Sequence, residues 1–137
     1  DFLLCNLILI LLLRVREIYR IRVKELKKNI SRQEQLANSF RLLVEKKFIE
    51  KRTVSEYAEQ LHISPKHLSD VVSETFGRSP LQIIHDILLL EAKVQLKATD
   101  KSVSEIAYYL NFDDQPHFTN FIKKRTGFSP QELRKKL

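Results

Sequence analysis

The 137-residue sequence contains one cysteine, two glycines and four prolines, and no methionine or tryptophan. A lone cysteine, Cys5, excludes an intramolecular disulfide framework and any multi-cysteine zinc site. Two separate glycines, Gly77 and Gly127, exclude a glycine-rich loop for cradling phosphate. With so few glycines and prolines, abundant Leu, Lys and Glu, and 43% apolar residues, the chain is expected to be all-α and globular. Its length suits one medium domain or two small ones. In the absence of methionine, Asp1 is expected not to be a native start, and the chain to be part of something longer.

Charge is the most conspicuous positive feature, at +7 overall, and it is unevenly spread. Residues 1–52 hold 13 basic and 6 acidic side chains, residues 53–117 hold 5 and 10, and residues 118–137 hold 6 and 1. A basic total suggests nucleic acid or an anionic surface as partner without saying which segment touches it.

The chain opens on an apolar stretch, Phe2 to Leu13, and becomes basic through Lys28. Ile8, Leu12, Val15, Tyr19, Val23 and Leu26 recur at steps of three and four, which makes one helical stripe. Twelve apolar residues fall short of the about 20 that span a bilayer. Three readings follow: the end of a longer membrane span, a helix packed in a domain upstream, or a dimerising helix. A soluble packing helix is preferred. Asn29 ends this helix. Ser31 opens a second with Glu34 as a capping box, and Leu36, Phe40, Leu43, Val44 and Phe48 give it an apolar face. Residues 1–52 are thus expected to form a helical hairpin of dimerisation and linker type, and a second region to start at Thr53.

That second region is built on an internal repeat. Thr53-Val-Ser-Glu-Tyr-Ala-Glu-Gln-Leu-His-Ile recurs as Ser102-Val-Ser-Glu-Ile-Ala-Tyr-Tyr-Leu-Asn-Phe, and Gly77-Arg-Ser-Pro80 recurs as Gly127-Phe-Ser-Pro130. Thr53 and Ser102 are N-caps, with Glu56 and Glu105 completing capping boxes. A short turn follows each first helix, and Asn111 is expected in the left-handed conformation. Second helices run over 65–76 and about 115–126. Gly77 and Gly127 end them, and Ser-Pro restarts the chain as N-cap and N1. Two helix-turn-helix units, 53–77 and 102–127, are therefore predicted, joined by an amphipathic connector over 80–98 containing Ile83, Ile84, Ile87, Leu88, Leu90, Ala92 and Leu96. A short helix, a tight turn and a longer helix fit a unit whose second helix enters the major groove N-terminus first.

Residues 53–137 resemble the DNA-binding domain of the AraC/XylS family of bacterial transcription regulators. The resemblance rests chiefly on Ile106-Ala107-Tyr-Tyr-Leu-Asn-Phe-Asp-Asp-Gln-Pro-His-Phe118, followed by Phe121-Ile-Lys-Lys-Arg-Thr-Gly-Phe-Ser-Pro130 and Leu133-Arg134. Residues 1–52 resemble, less specifically, the dimerisation segment and linker that follow the effector-binding domain in that family. The resemblance implies a cytoplasmic, usually dimeric regulator, most often an activator. Its partners would be double-stranded DNA, a second copy through the N-terminal helix and RNA polymerase, with a small-molecule effector held by a domain upstream.

Helical periodicity assigns Leu68, Val71, Val72 and Phe76, and Phe118, Phe121 and Ile122, to the buried faces of the two second helices. Lys66, His67, Ser69, Asp70 and Ser73 are left exposed on one, and Gln115, Pro116, Thr119, Asn120 and Lys123 on the other. The family's base-contacting positions match Lys66, Ser69 and Asp70, and Gln115, Thr119 and Asn120. Gln and Asn each pair bidentately with adenine, which favours Gln115 and Asn120 as direct readers. Lys123, Lys124 and Arg125 suit phosphates. Ser64 and Asp114 are expected to help through helix-terminus contacts, and His67, like its repeat mate His117, through packing or a backbone contact. The sequence departs from the family at Asp70 and Asn120, where many members carry Arg, and at Leu88, another frequent Arg position. Asp70 is a poor neighbour for phosphate, and a solvated helix charge is an equally good reading. With an acidic first unit, weaker binding there than at the second is expected.

His62, His67, His85 and His117 have no metal-ligand spacing, and no nucleophile–base pair can be assembled. Neither catalysis, a cofactor nor a metal is expected. Two competing readings stay open: a helical protein-interaction module whose basic tail is a solvated face, and a membrane-tethered regulator of the same family.

Overall fold

The structure is a computed structural model that describes residues 2–29 and 31–137; Asp1 and Ile30 lie outside it. The described residues form helices and turns without a strand. In chain order the helices are α1 (Phe2–Asn29), α2 (Arg32–Lys47), α3 (Val54–Gln60), α4 (Pro65–Phe76), α5 (Pro80–Ala98), α6 (Val103–Tyr109), α7 (Gln115–Thr126) and α8 (Pro130–Lys136). The chain divides into two compact units, one ending at Gln35 and one covering Leu36–Leu137.

The first unit is dominated by α1. Its predicted stripe is real as a helix face, but Ile8, Leu12, Val15, Tyr19 and Leu26 are all exposed and Val23 is only half-buried. Among the described residues, no helix is long and apolar enough to cross a membrane.

The second unit has two cores. Ala37, Phe40 and Val44 of α2 are fully buried with Tyr57 and Ala58 of α3, Leu68, Val71 and Val72 of α4, and Ile84 of α5. Phe40 meets Tyr57 edge to face at 5.6 Å, and the Tyr57 hydroxyl donates to the Lys51 carbonyl at 2.8 Å. The compact unit therefore starts at Leu36, not at the expected boundary between Arg52 and Thr53. The reason is local: the apolar stripe of α2 supplies one wall of the first core, and each large side chain so buried contributes about 1.5–3 kcal/mol.

The second core joins Leu88, Ala92 and Leu96 of α5 to Val103, Ile106 and Ala107 of α6 with its C-cap Leu110, to Phe118 and Ile122 of α7, and to Leu133 of α8. The connector thus serves both cores, its first half in one and its second half in the other. Leu90 departs from the expected apolar face and is 63% exposed. Two residues beyond Leu88, it sits roughly 200° around the helix. Leu88 itself is 1% exposed, so the position is a core site in this chain.

Caps set where each helix starts and stops. Thr53 and Glu56 form a reciprocal capping box, as do Ser79 with Gln82 and Ser129 with Glu132. At Ser102 only one arm of the predicted box forms, from the Glu105 N–H at 3.1 Å. Gly77 and Gly127 end α4 and α7 in the left-handed region, at φ 67° and 78°. Asn111 takes the left-handed conformation expected of it, at φ 59°. His62, its repeat mate, does the same at φ 58°, which composition did not suggest. In both turns the next N–H reaches back five residues, Ile63 to the Ala58 carbonyl at 3.0 Å and Phe112 to the Ala107 carbonyl at 2.9 Å. That bond, paired with the shorter one from His62 to Glu59 and from Asn111 to Tyr108, is the Schellman pattern.

Candidate nucleic-acid interface

Both second helices are 12 residues long, begin with Pro within the first turn and carry an oxygen-bearing N-cap. Ser64 Oγ accepts from the His67 N–H at 3.1 Å, and Asp114 Oδ1 accepts from the His117 N–H at 2.8 Å. The two side chains assigned to helix-terminus contacts are therefore already engaged as caps. They fix the helix ends, and what they leave for a ligand is the remaining free N–H groups of the first turn.

On α4, Leu68, Val71 and Val72 face the core while Phe76 is half-buried at its edge. Lys66, His67, Asp70 and Ser73 are exposed and Ser69 is half-buried. On α7, Phe118 and Ile122 are buried and Phe121 is half-buried, leaving Gln115, Pro116, His117, Asn120, Lys123 and Lys124 exposed and Thr119 half-buried. Each predicted base-contact residue thus lies on the solvent side of its helix. The N-terminal halves offer different chemistry. The α4 side presents a cation, a hydroxyl and a carboxylate; the α7 side presents two amides and a hydroxyl.

His117 Nδ1 lies 3.3 Å from Asp114 and 3.9 Å from Asp113, so the α7 N-terminus carries two carboxylates beside an imidazole. Further along, His117, Asn120 and Lys124 line a groove of 420 Å³ together with Arg52, Asn111 and Asp113. No residue of α4 lines that groove.

Arg125 is the one member of the basic cluster that does not sit free. Its guanidinium lies 3.9 Å over the Phe121 ring, and its Nη2 is 2.6 Å from His85 Nδ1 on the connector. Burial depresses its pKa, and His85 is pushed below 6.5 by burial first and then by the Arg125 charge. Arg125, expected among the phosphate-contacting residues, is thus half-buried and engaged within the protein. It braces α7 against α5, while Lys123 and Lys124 remain exposed.

Arg52 is a second arginine with an inward role, and no sequence signal singled it out. Its Nη2 donates to the Leu110 carbonyl, its Nε donates to the Phe48 carbonyl at 3.1 Å, and its guanidinium lies 4.7 Å over the Phe112 ring. Arg134 plays a matching part at the far end of the connector, donating to the carbonyls of Leu96 at 2.8 Å and Lys101 at 2.6 Å. Both satisfy carbonyls at or just beyond helix C-termini. Among the described residues no group of three or more His, Cys, Asp or Glu converges as a metal site.

Comparison with known proteins places this geometry. Residues 57–136 match the helix-turn-helix domain family model. The transcriptional activator RhaS of Escherichia coli O157:H7 is 27% identical over 125 residues, covering 87% of this chain and 45% of that protein. The chain therefore spans less than half the length of this curated relative. Among solved structures, the C-terminal domain of AraT, a response regulator from Geobacillus stearothermophilus, aligns with a TM-score of 0.72 at 29% identity, covering 78% of this chain and 89% of that one. The DNA-binding domain of the global transcriptional factor AdpA, solved with a target DNA, shares the fold at a TM-score of 0.66 and 21% identity, over 73% of this chain and 90% of that one. With its paired helix-turn-helix units and a family match across 57–136, the chain belongs to the AraC family of DNA-binding transcription regulators.

Proposed function

We propose that the chain is the DNA-reading part of a sequence-specific transcription activator, with α4 and α7 entering successive major grooves on one face of DNA. The observation that carries this is the duplicated unit: two reading helices of equal length, each capped, each ended by a left-handed glycine and each with a polar, exposed N-terminal half. Lys66, Ser69 and Asp70 are the base-facing set on α4, and Gln115, Thr119 and Asn120 the set on α7. Lys123 and Lys124, with the first-turn N–H groups of α4 and α7 and the exposed ring of His67, hold the backbone. The AdpA structure with target DNA and the RhaS activator name support DNA as partner and activation as role.

The connector sets the reach. Its 19 residues rise roughly 28 Å at about 1.5 Å each, against about 34 Å between successive turns of the major groove. That shortfall requires the DNA to bend toward the protein or one head to seat incompletely. The α1 helix, whose apolar stripe is exposed, is the dimerisation element, and a second copy is its partner. An upstream domain binds the small-molecule effector, RNA polymerase is the downstream partner, and the protein acts in the cytoplasm without catalysis.

Selecting bound duplexes from a random pool, then titrating salt, tests the reading. Asn120→Ala is expected to lower the ratio of selected to random DNA affinity by the 1–3 kcal/mol that a bidentate base contact contributes. Lys124→Ala should weaken both DNAs alike and reduce the salt slope by about one. Equal effects of both substitutions on selected and random DNA would refute the division into base and phosphate contacts.

A further inference from the structure

The chain between α2 and α3 precedes the first reading head in sequence and bonds to it through Lys51 and the Arg52 N–H, yet it also makes polar contacts with the second. Arg52 donates to the Leu110 carbonyl, 58 residues away, at the C-cap of α6. Its Nε is held by the Phe48 carbonyl at 3.1 Å, so the guanidinium bridges the end of the α2 region to the turn of the second head. The same guanidinium stacks 4.7 Å over Phe112, the turn residue whose ring packs on Phe118 and Phe121 of α7 at 5.1 and 5.4 Å. Asn111, left-handed in that same turn, donates to the Ile49 carbonyl at 3.4 Å. Phe48 packs on both cores.

The two heads are therefore joined by two struts. One is the connector α5; the other is the segment from Phe48 to Arg52. A single helix joining two heads leaves bending and twisting at its ends unopposed. A second strut that grips the α6–α7 turn removes those freedoms. We propose that Arg52 is a positioning residue that fixes the second reading helix relative to the first, and that it couples the placement of α2 to the groove spacing the protein accepts. The mechanical half of this inference stands on the contacts alone. The half about groove spacing rests on the two-groove reading above.

A planar fork is what the site uses. One guanidinium edge serves two carbonyls while the face covers an aromatic ring, a combination an ammonium cannot reproduce. Arg52→Lys keeps the charge and loses the fork, and Arg52→Gln loses both.

The test uses the full 137-residue chain with Cys5→Ser, spin-labelled at Glu74→Cys on α4 and Tyr108→Cys on α6, both exposed. Pulsed electron–electron distance measurements without DNA are expected to give one narrow distribution for the parent. Arg52→Gln and Arg52→Lys should both broaden it while the helical circular dichroism signal is retained. A parent-like distribution in Arg52→Gln would overturn the strut, and one in Arg52→Lys would overturn the role of the fork. A second arm compares duplexes selected by the parent with the same duplexes carrying two extra base pairs between the contacted grooves. The parent should reject the lengthened duplex, and both Arg52 variants should lose that discrimination by a factor within the about 5–150-fold typical of coupling between sites. Broadening without any change in spacing preference would overturn the link to groove spacing. Weaker binding to both duplexes alike, with an unbroadened distribution, would make Arg52 a DNA contact and overturn the proposal. Failure of the parent to select any DNA would refute the two-groove reading and leave the distance measurement to judge the strut.

Discussion

Replacing Gly127 by Ala tests whether the duplicated architecture depends on two left-handed stops. The residue sits at φ 78°, where an L-residue carries strain of about 1–2 kcal/mol. A Cβ built there meets nothing within 4 Å, so no steric clash adds to that strain. Alanine also narrows the unfolded ensemble, which offsets about 0.4–1 kcal/mol. The balance is a destabilisation of about 1 kcal/mol, or a fall in Tm of about 4–8 °C for a unit of this size. Gly77 has the same open surroundings at φ 67°, so Gly77→Ala should cost the same. The two glycines end helices of different cores, and the double variant should show the sum. Urea denaturation followed by circular dichroism measures all three. A neutral Gly127→Ala would mean the left-handed stop is not required, and a loss well above about 2 kcal/mol would mean that crowding, not strain, governs the position.

Acidification should destabilise the fold through His85. Its folded pKa lies below 6.5, so the unfolded chain takes the proton first: stability is full above pH 6.5 and falls as pH drops below it. His85→Gln, which keeps an acceptor for Arg125, should flatten urea-midpoint curves across that range; an unchanged slope would exonerate the imidazole. Tyr57 is pushed up to about 12 by burial, so it contributes stability below pH 10 that is lost as pH rises toward 12. Tyr57→Phe should cost about 0.5–1.5 kcal/mol at neutral pH, through the lost bond to Lys51, and remove part of that alkaline sensitivity. Finally, circular-permutation gel mobility on a selected two-groove duplex should show bent DNA; straight DNA with both grooves protected from methylation would refute the reach argument drawn from the connector.

What could be seen in advance was whatever is encoded within a few residues. The limits of α3 to α7 follow from caps, prolines and glycines that act on their own neighbours, and the repeat multiplied that signal by two. The connector was legible for the same reason, since a 19-residue amphipathic run between Ser79-Pro80 and Thr99 admits few alternatives. The place of α2 was not legible. An apolar face at Ala37, Phe40 and Val44 says that something covers it, but not whether that is a second copy, an upstream domain or the head that follows. His62 was missed because left-handed backbone was expected of Asn111 on residue type alone. The repeat mate takes the same conformation because the Schellman turn, not the side chain, demands it.

Charge illustrates the limit most clearly, because cations of equal formal charge meet different fates. Lys123 and Lys124 are exposed and available to phosphate, whereas Arg125, one step further along the same helix, lies on Phe121 against His85. Arg52 and Arg134 are likewise committed to carbonyls of neighbouring helices. Each of these three arginines braces the second head or the connector, and each would have been counted toward a DNA-binding charge by composition alone. The +7 of the whole chain is therefore a poor guide to the interface. Residues 53–137 are balanced at 11 basic and 11 acidic side chains, and two of the basic ones, Arg125 and Arg134, are turned inward. Affinity for DNA must then come from few, well-placed cations and from helix N-termini, a condition under which sequence-specific contacts outweigh diffuse attraction. A modest salt slope with a large ratio of specific to random affinity is the expected signature.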